Sequence, residues 1–166
     1  MLQPHLRRTW APRGDTPVHY SWDRHDRLSV ITTVSTGALR RRMGLQFRVL
    51  DHNVRTEDMV AYLRALRRQL QCPVLLVWDR LGVHGAAVNH LRRRGAKWLE
   101  VEKLPPYAPD LNPVEYVWGH AKGVDLANYI PEDVDDLGRK VRGSLRSQRS
   151  RPHLIRSFFA AAGLPL

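Results

Sequence analysis

The feature that most constrains this chain is a five-residue apolar run, Val74–Trp78, entered through Pro73 and closed by Asp79. A continuous apolar stretch this short, between a proline and an acid, reads as a strand buried on both faces, as in a parallel or mixed sheet. Open α/β sheets gather ligand chemistry beyond the carboxyl ends of such strands, so Asp79 is a candidate functional carboxylate. Aspartate is equally at home there as a turn or helix-capping residue, and position alone does not separate the two roles.

The flanking sequence supplies alternating strand and helix patterns. Residues 28–35 are rich in β-branched side chains and residues 45–50 alternate apolar with polar, which predicts a hairpin turning through 37–44. Residues 55–70 carry Met59, Leu63, Leu66 and Leu70 at helical spacing, with Thr56 as the expected N-cap. A second helix over 84–94 should stop at Gly95, with Arg92, Arg93 and Arg94 complementing its dipole, and 98–104 should form another strand. A helix then opens at Asn112-Pro113 and presents Val114, Val117, Trp118 and Ala121 on one face. Two further helices, broken near Pro152, end the chain. The order implies an α/β fold in one domain, residues 1–166, with no internal repeat.

Composition narrows the partners. The 166 residues hold 27 Lys and Arg against 16 Asp and Glu, a net charge of +11, while a hydrophobic share of 43% is enough for a packed core. A basic balance of this size attracts polyanions, foremost nucleic acid, although an arginine bias also arises from coding composition. The charge is uneven: residues 1–72 net +7 and 131–166 net +3, whereas 73–130 net only +1. That layout suits carboxylates that hold a cation in the middle and phosphate contacts on the flanks. The single cysteine, Cys72, excludes an internal disulfide and a cysteine-based zinc site. No apolar run approaches the roughly 20 residues of a membrane span, and the first residues do not read as a secretory signal, so a cytoplasmic protein is expected.

Glu115 follows Asn112 by three residues, the spacing of a capping box in which its carboxylate would return to the Asn112 amide. The joint pattern changes that weighing. Residues 74–122 read VLLVWDRLGVHGAAVNHLRRRGAKWLEVEKLPPYAPDLNPVEYVWGHAK. This block resembles the catalytic core of DDE transposases of bacterial insertion sequences in the mariner superfamily. It carries a strand ending in Asp79, His84 five positions on, the loop LPPYAPDLNP, then Glu115, Tyr116 and Trp118, and Lys122. Thirty-five residues separate Asp79 from Glu115, as between the family's second and third acids. Upstream, Arg8-Thr9-Trp10-Ala11-Pro12-Arg13-Gly14, followed by Thr16-Pro17, resembles the segment after the first acid.

The resemblance implies an RNase H-like mixed sheet flanked by helices and a metal-dependent activity that cuts and transfers DNA strands. Asp79 and Glu115 would be the catalytic, metal-holding carboxylates. Two Mg2+ or Mn2+ ions would be expected in an intact site, since hard oxygen ligands suit them and in-line displacement at phosphorus uses such pairs. Arg80, His84 and Lys122 would contact DNA. Arg80 departs from the family, in which many members carry Asn at this place. Partners would be transposon ends and target DNA, with intact transposase or an upstream frame product as a protein partner, at the nucleoid. The family's first acid lies on a strand before the Arg-Thr-Trp segment, and this chain is expected to lack that strand, that acid and the helix-turn-helix region. Asp15, Asp23, Asp26 and Asp51 do not match the missing position. A catalytic portion that is inactive alone is therefore the leading expectation. The alternatives are a non-catalytic DNA-binding remnant that associates with intact transposase, and an RNase H-like nuclease acting on RNA.

Overall fold

The computed structural model describes residues 7–15, 18, 28–164 and 166. β1 (Ser29–Thr36) and β2 (Met43–Leu50) form the expected antiparallel hairpin, in register from Ser29 opposite Leu50 to Thr36 opposite Met43. Its turn is closed by the Gly37 amide donating to the Arg42 carbonyl at 2.9 Å. β3 (Val74–Trp78) pairs in parallel with β4 (Leu99–Lys103), Val74 opposite Leu99 and Trp78 opposite Lys103. Parallel neighbours need a crossover. Here α2 (Gly82–Arg93) supplies it, ending before Gly95, whose φ of +75° suits glycine.

α1 (Thr56–Leu70) lies between hairpin and β3 in sequence, and its apolar stripe of Met59, Leu63 and Leu66 is buried. Thr56 is not its N-cap. Arg55 holds that place, because the Asp58 carboxylate, three residues on, accepts the Arg55 amide at 3.0 Å. Tyr62 ties α1 to the hairpin. Its hydroxyl donation is shared between Thr33 Oγ1 (2.9 Å) and the Gln46 carbonyl (3.1 Å), and burial pushes its pKa up to about 12.

Two apolar clusters flank the strands. One joins Val74, Leu76 and Trp78 to α1 and to Ala87, Val88 and Leu91 of α2. The other gathers Leu45 of β2, Val117 of α3 (Pro113–His120), Val141 and Leu145 of α4 (Val134–Arg149), and Ile155, Phe158 and Phe159 of α5 (Pro152–Ala161). The break between α4 and α5 falls before Pro152, as the pattern predicted. Among the described residues, no helix is long and apolar enough to cross a membrane.

The α/β class is as expected, with the strands in two two-stranded sheets, β1-β2 and β3-β4. β1 and β3 each pair on one side among the described residues. Between them lies a slot lined by Val30, Ile31 and Thr32 on one side and by Leu76, Val77 and Trp78 on the other. The buried Thr32 hydroxyl has no hydrogen-bond partner among the described residues. β3 is also not buried on both faces: Leu75 and Val77 are 60% and 53% exposed. They stand beside Glu100 and Glu102 of β4, likewise exposed, on a face that no described helix covers.

Two outcomes follow from the packing. Leu145 is fully buried, so Leu145→Ala is expected to lower unfolding stability by about 2–5 kcal/mol in urea titrations. At the entrance to α1, His52 Nδ1 lies 2.8 Å from Asp51 and its Nε2 3.1 Å from Asp58. Bonding to Asp51 and then Asp58 raises the His52 pKa above 6.5. The Asp51 pKa is lowered below 3.8 chiefly by the bond to His52, and that of Asp58 chiefly by the Arg55 amide. The His52 contribution to stability is thus complete below pH 6.5 and lost as pH rises through its folded pKa. The carboxylates' contribution is present above pH 3.8 and lost as pH falls through their depressed values. An NMR titration should place His52 above 6.5 in the folded protein; a midpoint at or below 6.5 contradicts the bridge.

Candidate active site

Because β3 and β4 are parallel, their carboxyl ends leave the sheet on the same side, bringing Asp79 next to the chain that follows Lys103. The Leu104 amide donates to the Trp78 carbonyl at 2.9 Å, continuing the ladder to the last residue before Asp79. Beyond it, residues 105–108 form a loop with Tyr107 at φ 57° and fully exposed, and a 3-10 turn, Pro109–Leu111, leads into α3. This route sets Asp79, Arg80, Asn112 and Glu115 around one cleft of about 420 Å³, with Pro105, Pro106 and Pro109 in its wall. Three prolines limit how far such a wall flexes.

The start of α3 decides what Glu115 does. Asn112 is the N-cap, its Oδ1 accepting the Val114 amide at 3.2 Å, and Pro113 occupies the first helical position. The Asn112 amide donates to the Pro109 carbonyl at 2.9 Å. The capping-box alternative therefore has no donor to bind, and the Glu115 carboxylate is exposed on the cleft. Tyr116, one residue on, anchors α3 from behind: its hydroxyl donates to the Ala161 carbonyl at 2.9 Å. The LPPYAPDLNP loop supplies most of the wall of this cleft; the part played by Tyr116 was not visible in sequence, since it depends on α5.

Asp79 is held more firmly than a solvated carboxylate. Its Oδ1 accepts the Leu81 amide at 3.0 Å and lies 2.7 Å from His84 Nδ1. The side chain is still 59% exposed and lines the cleft, and its Oδ2 makes no hydrogen bond or ion pair among the described residues. Arg80 sits at the rim, its Nε 3.5 Å from the Leu104 carbonyl. His84 is turned inward against Trp78 and Asp79. Lys122 does not line the cleft; it lies on a π-helical turn, Ala121–Asp125, and is half-buried. Of the other acids, Asp15 and Asp51 do not line it either, and Asp23 and Asp26, like Thr16 and Pro17, lie outside the described residues.

The donor set consists of oxygens, the kind that suits hard divalent cations. Among the described residues no group of three or more His, Cys, Asp or Glu is gathered to hold a metal. Mg2+ keeps several waters and needs only one or two carboxylates, so the pair Asp79 and Glu115 suits one hydrated ion that also binds a substrate phosphate, while Asn112 Oδ1 serves as the α3 cap. The two carboxylates do not by themselves cage a pair of ions.

Comparisons with known proteins identify the family and the fold. Residues 1–137 match the family described as DDE superfamily endonucleases. No curated protein matches the chain. Among solved structures, the chain is similar to a chain in the crystal structure of the Mos1 strand transfer complex, at 15% identity and a TM-score of 0.63. The match covers 98% of this chain and 48% of the other, so this chain spans about half the length of that relative. At that identity the likeness establishes the fold, which is the RNase H-like α/β arrangement.

Loss of the cap is measurable. Asn112→Ala is expected to cost about 1 kcal/mol of unfolding stability. Unchanged stability in urea titrations would show that α3 does not depend on Asn112 for its start.

Proposed function

The chain belongs to the DDE superfamily endonucleases, and from that premise we propose that it is the catalytic region of a transposase that cuts and transfers DNA strands. Members of this superfamily generally use divalent metal ions. The observation that carries the proposal is the convergence of Asp79 and Glu115, far apart in sequence, on one cleft. In this reading both carboxylates hold Mg2+ or Mn2+. When bound, a divalent ion supplies positive charge at the reacting phosphate, where in-line displacement concentrates negative charge.

The chain's own residues do the rest. The Leu81 amide holds one oxygen of Asp79, with His84 Nδ1 2.7 Å from the same atom. Asn112 sets the first turn of α3 and with it the direction of Glu115. Arg80, on the rim, meets a backbone phosphate of the DNA, and the basic flanks draw the polyanion in. A two-ion site needs one acid more. The slot between β1 and β3 supports an entering strand as its carrier, because the slot runs to Asp79 and Glu115, both of which also line it. In this reading the described residues form a partial catalytic domain, which without that further acid nicks DNA slowly at best.

Plasmid nicking tests the reading. The chain with supercoiled DNA and Mn2+ should nick slowly, and Asp79→Ala or Glu115→Ala should lower that rate at least tenfold. Nicking that is equal in all three proteins contradicts the proposal. DNA retained with no nicking at any metal concentration favours a non-catalytic DNA-binding role instead, and tighter binding to RNA hairpins than to duplex DNA favours a ribonuclease.

A further inference from the structure

His84 stands apart from the other basic residues near the cleft. Its side chain is only 16% exposed, and its ring stacks on Trp78 at a centroid separation of 4.3 Å and an interplanar angle of 6°. Trp78 is itself buried in the apolar cluster between β3, α1 and α2. The imidazole thus has one face fixed by the core and one edge toward Asp79, a poor arrangement for reaching a phosphate outside.

The polar end of the ring points to a different role. Nδ1 is buried, and Asp79 Oδ1, 2.7 Å away, is the polar atom it faces. The contact is not an aligned hydrogen bond, and Nδ1 makes none elsewhere among the described residues. Two acceptors at that separation would repel, so the proton is assigned to Nδ1, facing Oδ1. The same Oδ1 already accepts the Leu81 amide. Both restraints act on one oxygen and leave Oδ2 free, and a carboxylate restrained at one oxygen loses less freedom when the other binds a cation.

We infer that His84, braced by Trp78, is a positioning residue that orients the Asp79 carboxylate for a divalent cation and does not itself contact DNA. The inference rests on the reading of Asp79 as a metal-holding acid. It assigns the LGVH segment after Asp79 a purpose: Leu81 and His84 are two points of one clamp, carried on the start of α2. His84→Asn keeps a side-chain N–H near the position of Nδ1. His84→Ala and His84→Leu remove the donor, the second while filling the space against Trp78.

Mn2+ binding to the 166-residue chain, read from the electron paramagnetic resonance of the free ion, tests this without any turnover. His84→Ala and His84→Leu are expected to weaken Mn2+ binding about tenfold or more, the usual effect of losing a group that orients a metal ligand. His84→Asn should recover most of that loss. Thermal denaturation of each variant identifies a folding defect, and His84→Leu carries the test if His84→Ala does not fold. Fluorescence anisotropy with a labelled duplex in EDTA should give the wild-type affinity within about twofold for every folded His84 variant, against the roughly one-phosphate loss expected of a direct contact. Asp79→Ala separates the two levels of the argument. If Asp79→Ala weakens Mn2+ binding while the donorless His84 variants match wild type, the positioning role is overturned and the carboxylate reading stands. If Asp79→Ala binds Mn2+ as wild type does, or wild type binds none, both fall. Lost duplex affinity with unchanged Mn2+ affinity overturns the inference in favour of a DNA contact.

Discussion

The parallel pairing of β3 with β4 is the constraint on which the rest of the structure depends. Its register, Val74 with Leu99 through Trp78 with Lys103, sends both strands out of the sheet at one end. Asp79 and the loop toward Glu115 are neighbours for that reason alone. Antiparallel pairing would carry the second strand's end to the opposite side, and the two carboxylates could not share a cleft. α2 makes the parallel connection possible, and its apolar face of Ala87, Val88 and Leu91 holds β3 from below.

From that pairing the cleft is built by local devices with separate physical causes. Asn112 and Pro113 start α3, and the Pro109 carbonyl takes up the Asn112 amide that would have drawn Glu115 away. Tyr116 fastens the same turn to the end of α5. Leu81 and His84 restrain Asp79 from its other side. The result is a pair of exposed acids on rigid supports inside a protein of +11 net charge, a combination suited to a cation that must also meet a phosphate. The slot beside them, with strand edges on both walls, is where the two sheets remain separate.

Much of this was legible in the sequence, and the exceptions are instructive. The five-residue run, the β-branched hairpin and the caps of α3 fixed the strands and helices to within a residue or two. The exposure of Leu75 and Val77 was not legible, because an apolar run states what a strand prefers and not whether another layer covers it. Thr56 gave way to Arg55 because Asp58 competes for the cap amide, a choice that depends on three residues together. Lys122, at a helical spacing of seven from Glu115, shares its side of an ideal helix but lies about 10 Å farther along the axis, beyond the cleft. His84 was singled out by its distance from Asp79 as a DNA contact, whereas its direction depends on the stack with Trp78, which no spacing encodes.

The central claim is that Asp79 and Glu115 form one cation site. The most direct measurement is paramagnetic broadening by substoichiometric Mn2+ in amide NMR spectra of the labelled chain. The account predicts that amides around both acids, Leu81 on one side and Glu115 and Tyr116 on the other, broaden together at the lowest Mn2+ concentrations, before the exposed acids Asp133 and Asp135 at the start of α4. Broadening around Asp79 without Glu115, or first at α4, would contradict it.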